Sequence, residues 1–139
     1  MTAARSIETQ SSETQSSEML PELNEATLWG ILRDEISDAI ANHLVWQTLG
    51  YRQNSDNTWD TTQVNADWLE AYPEPPNFIE SRPATVKLTR SIPPENKQLL
   101  KEKLGFAGYQ VHELVPRKTR RATMVNWLLS YMTLQEIAL

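Results

Sequence analysis

The stretch Tyr72 to Pro83, YPEPPNFIESRP, holds four of the chain's eight prolines and sets the strongest limit on what the rest can fold into. Proline lacks a backbone N–H, fixes its own φ and disfavours helical geometry in the residue before it. Neither a helix nor a central strand therefore runs through most of these positions. The stretch reads as an extended, stiff connector with regular structure on either side.

Upstream, helical spacing is clear. Asn24 is placed to cap a helix whose Leu28, Ile31 and Leu32 share a face, and Ser37 to cap a second carrying Ile40, Leu44 and Val45, which Gly50 closes. The polar cluster Asn54 to Asn57 between Tyr51 and Trp59 predicts a small hairpin or tight loop. A short helix follows, capped by Asn65, with Trp68, Leu69 and Tyr72 on one side.

Downstream, ATVKLTRSI alternates Ala84, Val86, Leu88 and Ile92 with polar residues, a strand period broken only by Arg90; RPATVKL also fits a helix start. Pro94 and Glu95 open a helix with Leu99, Leu100 and Leu104 facing inward and Gly105 ending it. GYQVHEL is either a second strand, giving β-α-β over residues 84–114, or a short helix bearing Val111, Leu114 and Val115. A last helix runs from about Arg117 to the low 130s and buries Val125, Leu128, Leu129 and Met132, flanked by Trp127. The expected fold is α+β and helix-rich, about five helices with a small β element, with all-α as the alternative.

Residues 1–19 carry the polar repeat ETQSSETQSSE, with too little apolar surface to offset ordering entropy; they read as a disordered acidic tail before one globular domain spanning 20–139. The chain has no cysteine, so disulfides, thiolate nucleophiles, zinc ribbons and iron–sulfur clusters are excluded. No stretch has the roughly 20 apolar residues of a spanning helix, and none near the N-terminus has the apolar region of a signal peptide. A soluble, cytoplasmic protein is expected.

Charge is segregated along the chain. Residues 1–81 contain three bases against fourteen acids, whereas residues 82–121 contain ten bases against three acids. The basic half would steer an anionic partner although the whole chain carries a net charge of -5. Four cations fall within Arg117 to Arg121, and Arg117, Arg120 and Arg121 share a helical face. Cations at a helix N-terminus oppose its dipole unless an anion sits there. Three partners answer that need: acids of the N-terminal half, an acidic protein, or a phosphate of nucleic acid or a small ligand. The candidate binding residues are Arg117, Lys118, Arg120 and Arg121, with Lys87 and Arg90.

Other chemistry is sparse. His43 lies in an apolar helix and reads as a core or boundary imidazole; His112 beside Glu113 is a weak acid–base candidate, and neither has metal-ligand spacing. Asp34, Glu35 and Asp38 form an acidic group that reads as a solvated helix end. NSDNTWD lacks the glycine and closing glutamate of a calcium loop, and the four glycines form no phosphate loop. No catalytic residue, metal site or cofactor is assigned, and the five tryptophans read as core or interface anchors.

The segments NHLVWQTLGYR, WLEAYPEPPNFIESRPATVKLTRSIPPENKQLLKEKLGF and PRKTRRATMVNWLLSYM together resemble a small family of uncharacterised proteins of cyanobacteria and plant plastids, over roughly Leu20 to Met132. The long middle motif is the specific one. The resemblance implies a setting in oxygenic phototrophs, in cytosol or stroma or at the thylakoid surface, and brings no activity, cofactor or catalytic residue. The resulting expectation is a non-enzymatic interaction or assembly protein that binds an acidic partner through its basic face. The alternative is an RNA-binding or phosphate-binding module using Arg117 to Arg121.

Overall fold

The computed structural model describes residues 20–139. The predicted tail, 1–19, lies outside the described residues.

Helix α1, Glu25–Leu32, starts where Asn24 Oδ1 accepts the Thr27 N–H at 2.9 Å. Helix α2, Asp38–Leu49, starts on Ser37, whose Oγ accepts the Ile40 N–H, and stops at Gly50 with φ 114. That left-handed φ favours glycine, and a Cβ there would lie 2.5 Å from the Gln63 carbonyl oxygen. Strands β1, Arg52–Gln53, and β2, Trp59–Asp60, then pair antiparallel, with Arg52 opposite Asp60 and Gln53 opposite Trp59. Helix α3, Ala66–Ala71, is capped by Asn65 and buries Trp68. Up to this point the elements match their sequence expectations.

The proline-rich connector is seated in the fold by side chains of α2 and its neighbours. Trp46 donates its Nε1–H to the Pro76 carbonyl at 2.6 Å, and Tyr51 donates its hydroxyl to the Tyr72 carbonyl at 2.7 Å. Asn42, itself buried, donates to Asn77 Oδ1 at 3.0 Å and accepts the Phe78 N–H at 2.9 Å. Backbone groups that prolines exclude from any ladder are thus satisfied one at a time. Phe78, fully buried, anchors the connector in the core.

The expected strand at 84–92 is instead a helix, α4, Arg82–Ser91. Ser81 caps it and Pro83 sits in its first turn, where the missing N–H costs nothing. Its buried residues Ala84, Thr85 and Leu88, followed by Ile92, form a helical stripe that alternation also happened to fit, and Arg90 faces solvent. Of the two readings of GYQVHEL, the structure has the short helical one, a 3-10 turn at Val111–Glu113, so β-α-β over 84–114 does not form. The α+β character rests on the β1–β2 hairpin. The helix expected from Pro94 is split into a 3-10 turn, Pro94–Asn96, and helix α5, Leu99–Leu104.

Helix α6, Pro116–Leu134, is the central element and packs against α1, α2, α4 and α5. Surrounded in this way, it buries Met124, Val125, Leu128, Leu129 and Met132 almost completely. It also buries Asn126 and Ser130, each with a partner. Asn126 Oδ1 accepts the Leu100 N–H at 3.0 Å, its Nδ2 donates to the Asn96 carbonyl at 3.2 Å, and Asn96 donates to Ser130 Oγ at 3.1 Å. This chain of amides fixes the start of α5 on α6.

Candidate functional site

The basic cluster at the start of α6 meets the acidic group of the α1–α2 turn. Arg117 forms two parallel hydrogen bonds to Asp34, at 2.8 and 2.7 Å, and its Nε donates to Asp38 at 3.1 Å. Arg121 donates from Nη1 to Asp38 at 2.6 Å, from Nε to the Ile31 carbonyl at 3.1 Å, and from Nη2 to the Ile36 carbonyl. Its side chain is only 1% exposed, which corrects the expectation that it belongs to an outward cationic face. The anion that offsets the helix dipole here is a pair of aspartates from the same chain, and Asp34 and Asp38 are not merely a solvated helix end.

The electrostatics agree with the geometry. The Arg117 hydrogen bond holds the Asp34 carboxyl below its usual range against a smaller opposing effect of burial. For Asp38, burial pushes upward, and the bonds from Arg117 and Arg121 outweigh it, leaving the group depressed. Arg117 is correspondingly raised, first by Asp34 and then by Asp38.

The other sequence candidates separate. Lys118 lies 3.6 Å from Glu113 and over the Tyr109 ring. Lys87 pairs with Asp67 at 2.8 Å and lies over Trp68. Arg120 does not join Arg117 on the aspartates and donates to the Ile79 carbonyl at 2.9 Å. Arg90 is exposed, one turn beyond Val86 on α4, and pairs with no acid among the described residues. His43 lies between Trp46 and Trp59, with ring centroids 5.6 and 6.0 Å away, and burial lowers its pKa. Among the described residues, no group of three or more histidine, aspartate and glutamate side chains converges as a metal site.

Four cations outside the internal network line two surface cavities beside α6. One cavity of about 430 Å³ lies between α4 and the first turns of α6, where Arg82 and Arg120 reach its lining beside Val86, Leu114 and Val115. A second, of about 390 Å³, lies between α6 and the α5–Gly108 segment, with Lys97 and Lys101 beside Phe106 and Tyr109. The two share Leu114 and Thr119 in their linings, and neither is lined by an acid. Leu114 and Val115, read from sequence as part of a second strand or a short helix, are 55% and 45% exposed, and Val111 is 85% exposed. Thr85, Thr89, Thr119 and Thr123 complete the lining of the first cavity. These residues offer recognition by charge and apolar contact; no histidine, acid or thiol lines either cavity. Sequence reasoning missed Arg82, Lys97 and Lys101. The available signal was their place in the basic block and the apolar pair Leu114–Val115 just before a helix-starting proline.

The profile of a domain of unknown function, DUF1823, matches residues 22–133. The chain belongs to the DUF1823 family. A protein whose solution structure was determined by NMR is similar at 63% identity over 81% of this chain and 95% of its own length, with a TM-score of 0.74. None of the curated proteins matches. The DUF1823 span holds every helix from α1 to all but the last residue of α6, the Arg117–Asp34 network and both cavities. The exposed apolar residues Leu134, Ile137 and Leu139 fall beyond it. The groove is therefore part of the DUF1823 fold proper. No helix is long and apolar enough to cross a membrane among the described residues.

Proposed function

We propose that this chain is a non-catalytic interaction or assembly protein that binds an acidic protein partner through the groove formed by α4, α6 and the segment after α5. The observation that carries the reading is the acid-free lining: Arg82, Arg120, Lys97 and Lys101 border exposed Leu114 and Val115 with no carboxylate among them. Interface anchors combine desolvated apolar contact with guanidinium donors, and an opposite charge on the partner speeds encounter. The resemblance of the long middle motif to cyanobacterial and plastid proteins supports a photosynthetic cell as the setting, in the cytosol or stroma or against the thylakoid surface. The basic face named from sequence is relocated accordingly, since Arg117 and Arg121 are engaged by Asp34 and Asp38.

The test is affinity purification from the native cell with and without nuclease, followed by crosslinking to map the contact. A nuclease-resistant partner crosslinked beside Leu114, and lost from an Arg82→Glu, Lys101→Glu variant, supports the reading. A complex removed by nuclease, whose affinity falls by several log units per log unit of salt, supports nucleic-acid binding instead. A partner that maps elsewhere and ignores the variant overturns the groove.

A further inference from the structure

We infer that the segment the groove receives is a short peptide stretch in which one or two large apolar side chains are flanked on both sides by carboxylates. This rests on the reading that the groove binds an acidic protein, and it specifies the order of groups along that partner. The two cavities share Leu114 and Thr119 as lining residues, which places them side by side for one segment to reach both. Each cavity carries two cations, Arg82 and Arg120 in the first and Lys97 and Lys101 in the second, and the exposed apolar side chain of Leu114 lines both.

Each simpler ligand leaves part of this surface unmatched. A uniformly acidic strand lays carboxylates over Leu114 and Val115, which offer them no hydrogen bond; a uniformly apolar one desolvates four cations without giving them a partner. Arg120 is already half-engaged, since one of its N–H groups goes to the Ile79 carbonyl, which holds the guanidinium at the groove wall with donors to spare. Lys97 is likewise tethered, by donation to the Thr89 carbonyl. Side chains fixed in this way lose less rotamer freedom on binding than free surface lysines and arginines.

The experiment is selection of a phage-displayed random dodecapeptide library on the full chain, followed by fluorescence anisotropy with the selected peptides. The expected result is enrichment of sequences with Asp or Glu on both sides of Leu, Phe or Trp. Arg82→Glu, Lys101→Glu and Leu114→Ser, all at exposed positions, should each weaken binding by about tenfold or more while circular dichroism stays unchanged. Peptides that are acidic without an apolar residue, and that bind Leu114→Ser as well as the parent, overturn the order proposed here and leave the acidic-partner reading standing. Enrichment of basic or uncharged peptides, or none at all, overturns both.

Discussion

Arg121 is tolerated in the interior because each nitrogen of its guanidinium finds an oxygen: two carbonyls at the end of α1 and in the following turn, and the Asp38 carboxylate. A guanidinium does not shed its proton on burial, so removal of any acceptor leaves charge without compensation. Arg121→Met fills much of the space but removes the side-chain donor to the Ile36 carbonyl and one of the donors to the Ile31 carbonyl, which keeps the Asp34 N–H. Because Asp38 stays paired with Arg117 and partly hydrated, the loss falls near the lower end for a broken buried pair, about 3 kcal/mol, read as a shift in urea midpoint. Lys101→Glu, on the surface, should move that midpoint by no more than about 0.5 kcal/mol equivalent. An Arg121→Met protein as stable as the parent would show that apolar volume substitutes for the ion. The helical spacing of Arg117 and Arg121 was legible in the sequence. Their burial was not, because it depends on Asp34 and Asp38, 79 to 83 residues earlier, and no local pattern announces such a pairing.

At the scale of elements, capping chemistry proved more informative than apolar periodicity. Asn24, Ser37, Gly50 and Asn65 mark helix ends where expected, since a cap needs only one side-chain oxygen or one left-handed residue and is settled locally. Around α4, a stripe of Ala84, Leu88 and Ile92 satisfies periods of both two and four, and the cap Ser81 with Pro83 decides for the helix. The connector illustrates the opposite limit. Its lack of regular structure was evident from its prolines, whereas its attachment to α2 through Asn42 and Trp46 arises only from folding. Asn42→Ala removes the acceptor for the buried Phe78 N–H and the donor to Asn77. The expected loss is about 1–3 kcal/mol, accompanied by faster hydrogen exchange at Phe78 and Ile79 than in α6. Equal protection of the two regions in the variant would mean that the connector does not depend on this amide.

Across the whole molecule, the charge asymmetry seen along the chain is partly cancelled in three dimensions, where the acidic turn after α1 meets the basic start of α6. Four of the remaining cations, Arg82, Arg120, Lys97 and Lys101, line the two cavities beside α6. The internal network also sets the acid response. Asp34 and Asp38 have folded pKa values below the ordinary aspartate value. Protons therefore bind the unfolded chain more readily, and the stabilisation these carboxylates give is fully present above about pH 4 to 5 and fades as pH falls through the lower folded values. Arg117→Leu removes the two-point bond to Asp34 while leaving Asp38 on Arg121. Arg117 is 42% exposed, so its contribution at neutral pH is modest, roughly 1 kcal/mol after solvent screening. The stability gap between parent and variant should thus be largest near neutrality and shrink as pH falls below the ordinary aspartate range, as the parent loses what the variant already lacks. Urea unfolding of both proteins across that range measures the gap directly. If it stays constant, Arg117 stabilises the fold through its packed aliphatic stem and not through charge.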